Sequence, residues 1–388
     1  MKFNKWTVAL AAIGVVNLTS AARADEKISQ VQTALSNTTL SGYVDTAAVW
    51  DLGSNSDQAG GPLHLPPTTS NGGQQQDGFF LNTVDLTLDK PEDESPWASG
   101  YHVEMEFGPN TVGAGNVAQA FVRLRTPVGN GIDWQIGVWD TIIGYESQND
   151  PANPNYTRSY AYNIEPTTHT GILGTYKVND EITVQGGVAD SSNLGTALSP
   201  VNGTPNIESQ KTYMGDIQLT APDSFGWAKG ATLYFGAINS VNTSPGFGTT
   251  SLYVGTTVPT PMAALKFGGS FDYAELHNSS AVNADDASAW DLAFYSTYQV
   301  SEKLSLNLRA EYLNNSASEN VVAIPSVGTS NAEELTATVQ YSLWANVLSR
   351  VEFRWDHNEV NTTATSGYGA TGGNRNNFIL AANLVYQF

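Results

Sequence analysis

The chain contains no cysteine. Disulfide staples, thiolate nucleophiles and cysteine-based metal sites are therefore excluded. Beyond the first 18 residues, no stretch approaches the roughly 18 consecutive apolar residues of a membrane-crossing helix. Positive charge is scarce: 17 Lys and Arg stand against 37 Asp and Glu, a balance that argues against nucleic acid as a partner. His64, His102, His169, His277 and His357 show no HxH or HExxH spacing, and there is no glycine-rich phosphate loop, so no metal or cofactor is expected. Asp285-Asp286 and Asp356-His357 come nearest to paired-carboxylate or His/Asp chemistry. They lie on loops or strand ends far apart in sequence, with no orienting partner in view, so no catalytic site is expected.

The chain opens "MKFNKWTVALAAIGVVNLTSAARADEK". Lys2 and Lys5 precede an apolar run from Trp6 to Leu18, and Ala22-Arg23-Ala24 offers small residues to a signal peptidase. Residues 1–24 therefore read as a cleaved export signal. Without Lys2, Lys5 and Arg23, 14 basic residues remain against 37 acidic ones, a mature net charge of about −23. What the chain has in abundance is 36 glycines, 17 tyrosines, 14 phenylalanines and 9 tryptophans, the mix of an exported, strand-rich protein.

The strands show in a period of two. In the final "NFILAANLVYQF", Phe378, Leu380, Ala382, Leu384, Tyr386 and Phe388 share one face, and the other is more mixed. "FFLNTVDLTLDK" sets Phe80, Val84, Leu86 and Leu88 against Thr83, Asp85, Thr87 and Asp89. "YHVEMEF", "AQAFVRLRT", "LSLNLRAEY" and "VLSRVEFRWDH" repeat the pattern with charge on the second face. About sixteen strands, with a margin of two, fall near 39–50, 78–90, 97–108, 116–126, 131–142, 167–178, 181–190, 210–220, 230–240, 249–258, 261–275, 287–300, 303–314, 331–343, 347–358 and 376–388. Short turns such as "PEDESP", "PVGNG", "SEK" and "WAN" alternate with mostly longer polar segments.

An even strand count with short turns at one end and long loops at the other predicts a closed antiparallel outer-membrane β-barrel. Lipid would solvate its apolar face and water its interior. Tryptophans support this: Trp97, Trp134, Trp227 and Trp344 fall beside short turns, and Trp50, Trp139, Trp290 and Trp355 at the long-loop ends. Trp139 breaks parity, which predicts an inward side chain or a bulge. Residues 39–388 thus form one barrel domain, with 25–38 a short periplasmic helix or stub carrying Ile28, Val31 and Leu35 at helical spacing.

A barrel of about sixteen strands is wide enough to hold water. Its inward faces would carry Asp85, Asp89, Glu104, Glu106, Arg123, Arg125 and Asp133 on early strands, and Arg309, Glu311, Arg350, Glu352, Arg354 and Asp356 on late ones. These charges either pair with one another across adjacent strands or line a wet channel that filters polar solutes. The loop "IIGYESQNDPANPNYTRSYAYNIEPTTHTG", residues 142–171, is long yet rich in tyrosine and proline. Its Tyr145, Glu146, Asp150 and Arg158 join the list of pore-lining or constriction candidates. That composition predicts an ordered segment, either folded into the lumen as a constriction or capping it from outside.

The runs Gly144-Tyr145-Glu146, "NPNYTRSYAYN" and "THTG", with "QAFVRLRTPVGNGIDWQIGVWDTIIGYE", "GYVDTAAVW" and "LNTVDLTLDKP", resemble the OmpL-like β-barrel porin family, most sharply over 40–190. The resemblance implies a Gram-negative outer-membrane pore for small polar solutes or ions, and carries no binding residues. Phe388 likewise resembles the terminal aromatic by which the barrel-insertion machinery recognises such proteins. Barrels of this size assemble as homotrimers, an expectation by analogy. The rival readings are an adhesive or structural barrel working through its loops, an outer-membrane hydrolase, and a soluble polysaccharide-binding sandwich. The acidic excess predicts a modest preference for cations if it lines the pore.

Overall fold

The computed structural model describes residues 37–52, 78–108, 117–190, 211–241, 247–278, 287–315, 331–359 and 375–388. The expected export signal, most of the 25–38 segment, most of the long loops and the Asp285-Asp286 pair lie outside the described residues.

Sixteen strands run in order: β1 (Thr39–Asp51), β2 (Gly78–Lys90), β3 (Ser99–Phe107), β4 (Val117–Thr126), β5 (Ile132–Asp140), β6 (Thr168–Lys177), β7 (Ile182–Asp190), β8 (Lys211–Thr220), β9 (Thr232–Val241), β10 (Phe247–Pro259), β11 (Leu265–Asn278), β12 (Ala287–Gln299), β13 (Leu304–Asn315), β14 (Asn331–Trp344), β15 (Val347–Asn358) and β16 (Asn376–Gln387). Each pairs antiparallel with its sequence neighbours, and β1 pairs with β16, so the sheet closes on itself. The seam runs to the last residue: Phe388 N–H donates to the Gly42 carbonyl at 3.0 Å, and Gly42 N–H to the Phe388 carbonyl at 3.1 Å. Closure leaves no strand edge unpaired, which hydrocarbon requires because each unsatisfied backbone group there costs several kcal/mol.

The two faces separate as the alternation predicts. Phe235, Phe271, Leu292, Phe294, Val351, Phe353, Leu384 and Tyr386 are exposed on the outside, while Arg309, Glu334, Arg354 and Asp356 are buried within. A large apolar surface facing outward and a polar interior is the inverse of a soluble core, and suits a lipid solvent. Trp97, Trp227 and Trp344 stand exposed at the short-turn end.

Two expectations need correction, and at Trp139 the structure decides between the two alternatives. Phe80 faces the lumen, packed against Ala47, Val49, Tyr156, Ile379 and Ala381, while Phe79 and Leu81 are exposed. The cause is a bulge: Thr83 pairs with Asp45 and Leu81 with Thr46, so Asn82 is an extra residue that reverses parity. Trp139 is 1% exposed and points inward with no bulge in its strand, because Asp133, Gln135 and Gly137 precede it on the same face. Finally, β6 begins at Thr168, in keeping with the strand expected at 167–178, so the last four residues of the candidate constriction segment 142–171 belong to the wall; the ladder there pairs His169 with Trp139.

Candidate functional site

The segment between β5 and β6, residues 141–167, is described throughout and includes a 3-10 turn (Asp150–Ala152) and one short α-helix, α1 (Tyr160–Ile164), whose Tyr162 N–H donates to the capping Ser159 side chain at 3.0 Å. Its roots stand on β5 and β6. In a ring of sixteen strands β13 is the eighth on from β5, hence diametrically opposite. The loop nevertheless bonds to β13, β14 and β15, and also to β1 and β2. Tyr156 N–H and Thr157 N–H donate to the Glu352 carboxylate at 2.6 and 2.9 Å, and Asn155 to Thr338 at 2.8 Å. Tyr160 N–H donates to Glu311 at 3.1 Å, and its hydroxyl to Asp356 at 2.7 Å. Tyr156 hydroxyl reaches Asn82 at 3.2 Å, and Asp150 N–H reaches the Tyr43 hydroxyl at 3.4 Å. All these partners lie on inward positions, so the loop crosses the interior.

An irregular backbone buried this way carries amide and carbonyl groups that no helix or sheet satisfies, each worth about 1–3 kcal/mol if orphaned. The far wall supplies the partners. Arg350 donates to the carbonyls of Asp150 (3.2 Å), Pro151 (3.3 Å) and Asn153 (2.6 Å). Arg309 donates to the carbonyl of Thr157 at 2.6 Å, and Arg354 to that of Arg158 at 2.6 Å. Asn307 donates to the Pro154 carbonyl at 2.8 Å. Charge pairing continues beneath: Arg309 meets Glu146 at 2.7 Å, Glu334 at 2.9 Å and Glu311 at 3.5 Å, and all four side chains are shut away from water. Arg158 on the loop pairs with Asp150 at 2.7 Å, and Arg354 with Asp356 at 2.7 Å.

Arg309, Glu311, Arg350, Glu352 and Arg354 are therefore not side chains on a wetted wall. Each is at most 5% exposed, because the loop lies on top of them. They do more than satisfy one another, since each of the five bonds to loop backbone. Glu146, Asp150 and Arg158 belong to the same buried set.

Tyr145 lands elsewhere. Its ring stacks on Tyr295 of β12 with centroids 4.0 Å apart, and its hydroxyl accepts from Thr257 of β10 at 3.5 Å. Gly268 of β11 makes room, for a Cβ there would strike the Tyr145 hydroxyl. Gly144 adopts φ +113°, a left-handed conformation that suits glycine, with the Glu165 carboxylate against it. Burial, then the negative charge of Asp272, pushes the Glu165 carboxyl well above the usual carboxylate range.

The early-strand candidates form a separate group. Arg123 bonds Asp89 at 2.6 Å, and Asp89 also meets His102 at 2.9 Å. Arg125 holds Asp133 and the Asn130 carbonyl, so it secures the β4–β5 turn and stands apart from the loop. Asp85, Glu104 and Glu106 converge, each buried, with one carboxylate oxygen apiece lying within 4.8 Å of the others. The sequence reading missed Tyr43, Asn155, Thr157, Tyr160, Asn307 and Glu334. Alternation put the strand members on the inner face, but nothing local marks which of them meet the loop.

A family model described as "Putative beta-barrel porin-2, OmpL-like" matches residues 37–388. Among solved structures the fold is similar to an anion-selective porin from Comamonas acidovorans, with TM-score 0.61 and 13% identity over 90% of this chain and 99% of that one. It is also similar to the outer-membrane channel DcaP of Acinetobacter baumannii, with TM-score 0.59 and 12% identity over 90% and 97% of the two chains. A third is the trimer form of OmpT from Vibrio cholerae, with TM-score 0.59 and 13% identity over 90% and 99%. No curated protein matches the chain.

Proposed function

Since the chain belongs to the OmpL-like beta-barrel porin-2 family and forms a channel in the outer membrane, we propose that the loop 141–167 sets the width of its passage for small polar solutes or ions. The observation that carries this reading is the loop's reach from β5 to the opposite wall at β13–β15. The passage needs no cofactor and no chemical step: diffusion through a wet, charged lumen suffices. The family and the porin neighbours support a channel without catalysis over a hydrolase, and over an adhesive barrel.

Ion preference follows from what the loop covers. Four guanidinium groups, on Arg158, Arg309, Arg350 and Arg354, are buried with six carboxylates, on Glu146, Asp150, Glu311, Glu334, Glu352 and Asp356. Little positive charge from these arginines reaches the passage, and the surplus is negative. A modest preference for cations is the expected result. Residues 1–24 serve as the export signal and Phe388 as the mark for the insertion machinery; a homotrimer is the assembly suggested by the Vibrio cholerae neighbour.

Planar-bilayer recording of the purified protein tests the reading. Removing 146–163 should raise single-channel conductance, while a correctly folded deletion with unchanged conductance would refute a constricting loop. Reversal potentials in a salt gradient should favour cations, and a clear anion preference would overturn the charge argument.

A further inference from the structure

We propose that Asp85, Glu104 and Glu106, with the side-chain oxygen of Gln148, form a binding site for a hard divalent cation of the Ca²⁺ type. The cation would tie the loop to the β2–β3 wall.

Asp85 stands on β2, and Glu104 and Glu106 on β3; the ladder pairs Asp85 with Glu106 directly. All three are at most 6% exposed, and one oxygen from each lies within 4.8 Å of the other two. Like charges opposed on a sheet repel, and burial amplifies the repulsion. Hydrogen bonds compensate part of this repulsion. Thr87 donates to Asp85 at 3.0 Å, and Asp85 makes no ion pair among the described residues. Glu104 accepts from Gln119 at 2.6 Å and meets His102 Nε2 at 3.5 Å, while the other ring nitrogen of that imidazole is bonded to Asp89, so one cation is shared between two carboxylates.

A second, independent observation comes from the loop. Gln148 is 8% exposed and sends its Nε2 to Glu106 at 3.0 Å, while its Oε1 has no hydrogen-bond partner. Asp85 Oδ2 is unpartnered as well. A half-turn of the Gln148 amide exchanges its two ends and presents Oε1 to the carboxylates. Three carboxylates that can bind through one or two oxygens, one amide oxygen and water supply the six to eight oxygens at about 2.3–2.6 Å that Ca²⁺ takes. The donor set holds no sulfur, which disfavours the softer metals. Mg²⁺, which keeps most of its waters, fits less well among ligands held by two strands and a loop.

The probe is Tb³⁺, whose emission is sensitised by a nearby tyrosine; Tyr43 pairs with Asp85 in the ladder. Full-length folded protein in detergent, stripped with a chelator, should show one saturable site from which Ca²⁺ displaces the lanthanide. Asp85→Asn with Glu106→Gln should weaken it by about tenfold or more, the scale on which the groups of a metal site act. Glu302→Gln, on an exposed turn, should leave it unchanged. Heat-modifiable gel migration checks folding. If the double variant does not fold, Gln148→Ala takes its place, with weaker Tb³⁺ binding expected. Identical titrations for wild type and variant, or a site insensitive to Ca²⁺, would overturn the proposal in favour of a proton shared between the carboxylates. A preparation that binds Tb³⁺ but conducts no ions would sink the channel reading and leave this one standing.

Discussion

Two of the places where the loop 141–167 lands on the barrel wall, near its roots and across the lumen, use opposite chemistry. Near its roots, Ile143 sinks into an apolar cluster of Phe121, Trp139, Leu173, Met214, Ile238 and Tyr253. Tyr145 stacks on Tyr295 above Gly268, and a Cβ at Gly236 would strike Ile143. Across the lumen, β13–β15 offer Arg309, Arg350, Arg354, Glu311 and Glu352 to backbone groups of 150–160. Where the loop presents apolar and aromatic side chains near its roots, the wall answers with space and apolar surface. Where it presents backbone, the wall answers with charge, because buried amides and carbonyls need partners that reach several ångströms from the sheet. A long arginine or glutamate can do this, and an apolar residue cannot.

The comparison can be broken most severely at the far landing. Arg309→Met would strand Glu146, Glu311 and Glu334 together without their shared cation. The loss should be about 3–5 kcal/mol, as for a buried pair deprived of one partner. A lower unfolding temperature by heat-modifiable migration and higher, noisier conductance are expected; wild-type behaviour in both would mean the loop is held elsewhere.

A smaller effect is expected at the near landing. Gly268→Val should displace the Tyr145 ring from Tyr295 at about 1–3 kcal/mol, the range for overpacking. Loop opening should follow without any change in ion preference, since no charge moves. A shift in reversal potential would show that the two landings are not separable.

The smallest effect is a pH response at the loop's neck. Glu165 faces Asp272, Asp291 and Glu146, and its carboxyl is held protonated above the usual range. The docked loop therefore binds more protons than an undocked one, whose Glu165 titrates near 4.3. Docking is strongest below that value and weakens as pH rises towards the raised one. Conductance should climb modestly as pH rises above about 4.3 towards the raised value, and Glu165→Gln should flatten the curve. A flat wild-type profile would place the proton elsewhere.

Most of the fold was legible in the residues. Every strand of the cylinder was visible from alternation and turns, because a bilayer outside and water inside impose opposite demands on successive side chains. Phe80 went wrong because one extra residue, Asn82, shifts the period without leaving a local mark. The site was half legible. The tyrosines and prolines of 142–167 marked an ordered loop, and parity correctly turned Arg309, Arg350 and Arg354 inward. Depth was invisible: alternation tells which face a side chain takes, and says nothing of what lies above it.

Taken by itself, the amino-acid order determined a membrane cylinder of about sixteen strands, with a margin of two, and most of the strand faces, since those depend on neighbours two residues away. Only the tertiary structure decided that the late arginines hold a loop instead of touching water, and that Asp85, Glu104 and Glu106 converge beside Gln148. Those arrangements join segments 40 to 200 residues apart, and no periodicity within a strand encodes a meeting across the width of a barrel.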